Sequence, residues 1–365
     1  VPRLNVMSRL RLAAVLALAA ALAACGTGYY LQAAAGQAAL LRAREPLEQV
    51  LADPATPGSV RRQLLVVDAA LLFARLELGL PATKSYRHYA DIGRTSVVWN
   101  VFAAPEFSLE PREWCYPVAG CATYRGWFKE RKARDFAARL AARGDDVFVG
   151  GVAAYSTLGW FADPVLNTML GNTDAELVGL LCHELAHQRV YVAGDTLFNE
   201  GFSTFIEEEG TRRWLTFRND APGLRDFDLR QSRRAAVLAI VAELRDVLAS
   251  AYAADIPTAE RRQQRVTAFA RAQARYNGLR AGWVEAPWFD GWLASEPNNA
   301  RLAALSSYED YVPAFRALLA REDGSLERFY SSVVELGGLS RAERDAAMQA
   351  LNESATEGSG CRGGC

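Results

Sequence analysis

Histidine is scarce in this chain, with three residues in 365, and the 41 basic and 42 acidic side chains leave a formal net charge of −1. No basic run is dense enough to follow a phosphate backbone, which removes nucleic acid from the expected partners. No internal repeat is present. The apolar run Leu12 to Ala24 is too short to span a bilayer, which needs about 20 residues. What is plentiful is hydrophobic side chain, at 50% of the sequence. At this length that is enough to bury a sizeable core, as one large domain or two ordinary ones.

Two of the histidines stand four apart in His183-Glu184-Leu185-Ala186-His187, within the stretch Thr173 to Glu209. That spacing has a physical meaning on a helix, where positions four apart share a face and both imidazoles can be aimed at one ion. Glu184, one step round the helix, is offset as a ligand but well placed to take a proton from water at the ion. Thr173-Asp174-Ala175-Glu176 reads as a capping box, and Leu177, Val178, Leu180, Leu181, Leu185 and Ala186 make most of the circumference apolar. A buried helix is expected. Burying two histidines and a glutamate is costly unless something satisfies them, and a divalent ion satisfies all three. Cys182 adjoins His183 but points about 100° away round the helix, and reads as a buried, inert thiol.

Gly194 and Asp195 read as a helix-ending glycine and an N-cap, making Val192 to Thr196 the turn of an αα-hairpin. The centre of that turn lies midway between His187 and Glu200. Antiparallel helices joined there bring both positions to one height, with axes roughly 8 to 10 Å apart, a gap that two side chains meeting at an ion can span. Glu200 is therefore the expected third ligand. Glu207, roughly 10 Å farther along the axis, is expected to support the ligands from behind, with Asn199 as another supporting candidate.

The His183 to His187 segment followed by Phe198-Asn199-Glu200-Gly201-Phe202-Ser203 resembles the gluzincin clan, in particular the aminopeptidase-N-like enzymes, whose third zinc ligand sits in an N-E-G-F motif. Cys115-Tyr-Pro-Val-Ala-Gly-Cys121, Tyr124-Arg-Gly-Trp-Phe128 and Ala154-Tyr-Ser-Thr-Leu-Gly-Trp-Phe161-Ala-Asp-Pro164 are similar to a narrower group, the bacterial predicted-aminopeptidase lipoproteins, across most of residues 29 to 320. The resemblance implies Zn²⁺ on His183, His187 and Glu200, peptide-bond hydrolysis with Glu184 as base, and a tyrosine or histidine that stabilises the oxyanion. With only His88 left over, Tyr155 and Tyr276 are the candidates for that last role. It also implies that an edge strand ahead of the metal helix receives extended substrate by main-chain pairing. Val149 to Ser156 is the candidate, a plain core strand being the even alternative. The chain departs from aminopeptidase N in a shorter spacer before the glutamate and in having no G-A-M-E-N-type segment.

Arg3, Arg9 and Arg11 ahead of the Leu12 to Ala24 run make residues 1–24 a removable targeting segment. The run ends Leu22-Ala23-Ala24-Cys25, which looks like a bacterial lipobox, with Cys25 acylated and anchored in a lipid membrane. The alternative is an ordinary signal peptide with a chance cysteine. Gly26, where an aspartate would mark inner-membrane retention, favours by resemblance an outer-membrane anchor facing the periplasm. In that oxidising compartment Cys115 and Cys121 are disulfide candidates, and Cys361 and Cys365 a second pair.

The expected fold is α+β and mainly helical: a zincin-like (gluzincin) core with a small mixed β-sheet, and a helical C-terminal half. Residues 25–80 read as a helical scaffold broken at Asp53 to Gly58, 81–215 as the catalytic core, 216–351 as a helical subdomain and 352–365 as a disordered tail. Strands are expected at Ser96 to Ala103, Cys121 to Phe128 and Val147 to Tyr155, with a helix near Lys132 to Arg143. Later helices are expected at Leu229 to Ala251, Thr258 to Leu279, Ala300 to Leu319, Ser325 to Leu336 and Ser340 to Leu351. Trp283, Trp288, Phe289 and Trp292 read as core, with Asn298 and Asn299 better suited to a pocket. The functional expectation is a zinc metallopeptidase acting on peptides, an aminopeptidase first. The alternatives are an endopeptidase of envelope proteins and a non-catalytic scaffold lipoprotein with a vestigial metal site. A serine nucleophile at Ser156 or Ser203 is set aside, because no histidine is free to serve it.

Overall fold

The computed structural model describes residues 28–360 apart from 83, 117–119, 172 and 285–297. The targeting segment, Cys25, Trp288, Phe289, Trp292, Cys361 and Cys365 lie outside the described residues.

The central strand β3 (Val98–Pro105) shows how the sheet region is built. Its sequence VWNVFAAP is almost continuously apolar and almost continuously buried, as expected of a strand covered on both faces. Side chains alternate along it. Val101 and Ala103 pack with Ala133, Ala137 and Leu140 of helix α4 (Glu130–Ala141), while Phe102 and Ala104 pack with Ala300 and Ala304 of helix α9 (Asn299–Glu309). Strands β6 (Arg125–Trp127) and β7 (Asp145–Val152) flank β3 antiparallel, in the order β6-β3-β7, so β7 is an edge.

The expected single mixed sheet is divided. A separate three-stranded sheet holds β1 (Glu45–Pro46), β2 (His88–Ala90) and β8 (Val165–Leu166), β2 pairing antiparallel with β1 and parallel with β8. The span Cys121 to Phe128 is likewise two strands, because β5 (Gly120–Ala122) pairs with β4 (Trp114–Tyr116) in a hairpin closed by the Cys115–Cys121 disulfide, and only β6 joins β3. That bond reverses the chain between two short strands, so they pair with each other and leave the main sheet.

The N-terminal helices are α1 (28–42), α2 (Leu47–Ala52) and α3 (Gly58–Leu76); the expected break from Asp53 separates α2 from α3, and a further break at 43–46, where β1 pairs with β2 and Pro46 precedes α2, separates α1 from α2. Helices α5 (Asp174–Arg189) and α6 (Thr196–Phe217) form the antiparallel hairpin. Phe198, Phe202 and Phe205 of α6 are buried against Phe315 and Phe329, and each ring so buried contributes about 1.5–3 kcal/mol. The hairpin turn is longer than expected. α5 ends at Arg189, with Val190 extended, so Gly194 does not cap α5 but takes φ 82° immediately before the Asp195 N-cap.

Helices α7 (Ala221–Ala253) and α8 (Thr258–Arg280) pair round a core of their own that includes Val237, Leu244, Leu248 and Tyr276. α7 starts eight residues before Leu229, capped by Asp220 with Pro222 in its first turn, a start signal that the apolar periodicity passes over. The expected helix Ala300 to Leu319 is two: α9 ends at Glu309 and α10 (Val312–Arg321) begins beside Pro313. Proline has no amide hydrogen to donate and its ring crowds the turn before it, so the run breaks there. Helix α11 (Leu326–Gly338) is followed by α12 (Arg341–Gly360), which runs on through the part of the expected disordered tail that is described. No proline stops it, and Asn352 donates to the Asp310 carbonyl at 2.9 Å, which ties the helix down beyond Leu351. Among the described residues no helix is long and apolar enough to cross a membrane.

Candidate metal centre

The α5 N-terminus is fixed as its sequence dictates. Thr173 Oγ1 accepts the Glu176 amide at 3.2 Å, and the Glu176 carboxylate accepts the Thr173 amide at 2.9 Å. On the next helix Asp195 accepts the Phe198 amide at 3.1 Å, and its other oxygen receives Arg344 of α12 at 2.8 and 2.7 Å, a pair with side chains only 2% and 5% exposed. Asn199 bonds both ways with the Val192 backbone, at 2.8 and 2.7 Å, and so pins the turn instead of backing a histidine. Two close approaches set the spacing. A Cβ on Gly179 would lie 2.6 Å from Thr211 Oγ1 and 3.2 Å from Glu207 Cγ, so glycine there lets α5 and α6 come together. A Cβ on Gly120 would lie 2.3 Å from the Gly194 nitrogen, so the disulfide hairpin rests directly on the helix turn.

Between the helices three atoms converge. His183 Nε2 and His187 Nε2 are 3.2 Å apart, and Glu200 Oε2 is 3.4 Å from the first and 3.5 Å from the second. His183, His187 and Glu200 keep 8%, 9% and 6% of their surface. At zinc bond lengths near 2.0–2.2 Å, the edge of a tetrahedron of ligands is about 3.4 Å, so this triangle has the dimensions of one tetrahedral face. Each imidazole is held from behind: His183 Nδ1 lies 3.1 Å from Glu207 Oε2, and His187 Nδ1 lies 3.0 Å from Ser203 Oγ. A carboxylate accepts only, so His183 donates from Nδ1 and, when neutral, turns the Nε2 lone pair toward His187 and Glu200. Burial works against charge on His183, yet the Glu200 and Glu207 carboxylates outweigh it and raise its pKa to about 10. Burial likewise opposes charge on Glu200, but His187 and His183 hold its carboxyl well below the usual range.

Residues 28–348 match a family model described as "Putative aminopeptidase". The chain belongs to that family. No curated protein and no solved structure matches it.

The remaining site residues of this aminopeptidase-family chain are placed less as expected. Glu184 is 7% exposed, and burial raises its carboxyl pKa against the lowering by both histidines. Tyr155 is turned away, packing edge-on to Phe128 at 5.4 Å in the main core, where burial and Asp163 push its phenol up to about 12. Tyr276 is in the α7–α8 core with Trp283, a cluster distinct from the one that holds α5 and α6. Neither tyrosine packs against His183, His187 or Glu200. Chain position near a strand end or within a helix says nothing about which of several cores a phenol will enter.

Other phenols take their place. Tyr308 on α9 stacks on the His183 imidazole at 6.3 Å, and burial with the Glu200, Glu184 and Glu207 charges holds its pKa far above ordinary. Tyr124, in the turn between β5 and β6, donates to Glu200 Oε1 at 3.3 Å. Tyr86, left-handed at φ 62°, is buried beside Glu184 and Asp163, whose charges add to burial in raising its phenol. A signal for Tyr308 was present: Ala300, Ala304 and Tyr308 recur every four residues and share one helix face. Asn298 and Asn299, suspected of lining a pocket, instead hold α9 on the sheet. Asn298 accepts the Arg301 amide and donates to the Val147 carbonyl on the β7 edge, and Asn299 donates to the Glu106 carbonyl at 2.9 Å. His88 lies in β2 opposite Pro46, and Cys182 is a free thiol, 1% exposed, pushed up to about 12 by burial.

Proposed function

We propose that the chain is a zinc-dependent metallopeptidase, acting as an aminopeptidase and anchored by an acylated Cys25 to the outer membrane, facing the periplasm. The observation that carries the catalytic part is the triangle of His183 Nε2, His187 Nε2 and Glu200 Oε2, with edges of 3.2 to 3.5 Å. Two imidazoles and one carboxylate are a gluzincin-like donor set that leaves a tetrahedral position open. A zinc ion held there would supply Lewis acidity toward a peptide carbonyl and toward water.

The rest is work for the chain's own groups. Glu184 takes the proton of the attacking water on a carboxylate oxygen and passes it to the leaving amine, and burial, by raising its carboxyl pKa, makes it a stronger base for the first transfer. Tyr308, its phenol kept protonated by burial and three carboxylates, donates a hydrogen bond to the oxyanion as the carbonyl becomes tetrahedral. Glu207 and Ser203 orient the imidazoles from behind, and Tyr124 steadies Glu200. The β7 edge, with Val149 and Gly151 exposing backbone on the same side as Val147, offers main-chain pairing to an extended substrate.

One observation favours the endopeptidase reading. Of the carboxylates whose charges bear on Glu184 or His183 among the described residues, Glu200 and Glu207 are engaged with histidines and Asp163 is bonded to Thr157, so none of these three is left to hold a substrate's α-ammonium. Comparing hydrolysis of free and N-acetylated peptides separates the two, since an aminopeptidase leaves blocked peptides intact. For the zinc scheme itself the test is Glu184→Gln. The expected result is full zinc content with hydrolysis lost; zinc bound at full occupancy with no activity on any peptide in the unmodified protein would favour the scaffold, and an absence of zinc would overturn the scheme.

A further inference from the structure

A second concentration of charge lies apart from the metal centre. Between α1 and α4 runs a groove of about 1010 Å³. Lys129, Lys132, Arg139 and Arg143 line it, at spacings that keep them on one side of α4 and its terminal turn. They form a stripe roughly 21 Å long at 1.5 Å per residue. None of the four forms an ion pair with a carboxylate of the described residues, and the pair within α4, Arg134 with Glu130, is on the opposite side. Arg125 of β6 lies deeper, with its guanidinium 4.0 Å from the Tyr29 ring and 5.2 Å from that of Phe136. Its Nε is buried with no hydrogen-bond partner, and it too has no ion pair among the described residues. The acid in the lining is Asp135. In a chain of net charge −1 this is segregation of charge, not an excess of base.

Two further observations select the occupant. The first turn of α1, whose Gly28, Tyr29 and Gln32 line the groove, also exposes Tyr30 at 47% and Leu31 at 70% on its outer sides, apolar surface at the mouth-end of the helix that a soluble phosphate compound has no use for. Gly28 lines the same groove and follows Cys25 by three residues, so Cys25 is within roughly 10 Å of it by covalent reach. We infer that this face docks on the surface of an anionic phospholipid bilayer. Lipid phosphates enter the groove against Arg125 and the α4 stripe, and Tyr30 and Leu31 sit at headgroup level. The chain is thereby held in one orientation instead of swinging on its N-terminal attachment. This goes beyond the peptidase reading and is independent of the metal centre, but in its choice of occupant it rests on the proposed acylation of Cys25.

The test uses the chain from residue 25 onward with Cys25→Ser, which keeps every described residue and removes acylation. It is sedimented with phosphatidylcholine vesicles and with vesicles containing about one third phosphatidylglycerol, where each nearby cation adds about fivefold to partitioning. Binding is expected only to the anionic vesicles, and should weaken sharply as salt rises. Lys129→Gln/Lys132→Gln/Arg139→Gln/Arg143→Gln should lower it several-hundred-fold, with melting temperature and peptide hydrolysis unchanged. Equal binding to neutral vesicles, no binding to either kind, or undiminished binding by the fourfold variant would overturn the inference. Displacement from the vesicles by inorganic phosphate at constant ionic strength would also overturn it, marking a phosphate site and not a membrane surface. Hydrolysis measured on the same samples in solution reports on the metal centre independently.

Discussion

Replacing Arg344 with methionine probes how the candidate metal centre is held from outside. Arg344 sends Nε and an NH2 group to Asp195 at 2.8 and 2.7 Å and reaches the Leu339 carbonyl at 2.8 Å, and both side chains of the pair are nearly sealed from water. Methionine fills much of the volume but leaves the Asp195 carboxylate buried and alone, a change that costs about 3–5 kcal/mol. Spread over 365 residues, with an unfolding entropy near 2.1 cal/mol/K per residue, that is a loss of about 5 °C in Tm. Asp195 is also the N-cap of the helix that bears Glu200, so zinc retention should weaken with stability. The decisive arm is Arg344→Met combined with Asp195→Asn. Asparagine keeps the cap to the Phe198 amide and carries no charge to strand, so the double variant should be more stable than Arg344→Met alone. Denaturant unfolding of the four proteins in this cycle gives the coupling. A cost below about 1 kcal/mol for Arg344→Met, or strict additivity in the double variant, would refute the reasoning.

Glu207→Gln should lower zinc affinity by about 10–100-fold without unfolding the chain, because a neutral amide is a weaker acceptor for the His183 Nδ1 proton; competition with a chelator measures it. Tyr308→Phe should cut kcat by about 10²–10³ with metal content intact, the cost of removing one donor to the oxyanion, while Tyr155→Phe and Tyr276→Phe leave kcat unchanged in the same steady-state assay. Replacing Cys115 and Cys121 with serine opens a loop with a sequence separation of 6 and should cost about 2 kcal/mol by chain entropy, read as a lower denaturation midpoint.

Much of α5 was legible because its determinants are local. The capping box at Thr173 and Glu176, the apolar circumference and the four-residue histidine spacing each act within a few turns of one helix, so a chain read in one dimension contains them. Glu200 was reachable for the same reason: a turn ties its height to that of His187, and the two-residue error over where α5 ends did not alter which positions face each other. The broken helix at Pro313 and the early start of α7 were also local signals, at Pro313 and at Asp220 with Pro222, but hydrophobic periodicity alone reads across both.

What only the tertiary structure decided is what arrives at that site from elsewhere. Tyr308 stands 125 residues after His183 in the sequence, and it reaches the imidazole because Asn298 and Asn299 fasten α9 to the β3–β7 sheet. Tyr155 and Tyr276, equally plausible as isolated phenols, were drawn into packing elsewhere, Tyr155 against Phe128 in the main core and Tyr276 into the α7–α8 core. The gathering of Lys129, Lys132, Arg139 and Arg143 with Arg125 and the start of α1 is a property of packing that a net charge of −1 conceals. The sequence determined that His183, His187 and Glu200 converge, since helix geometry is set by neighbours along the chain; the company those three keep depends on how separate layers close against one another, and no short window of residues encodes that.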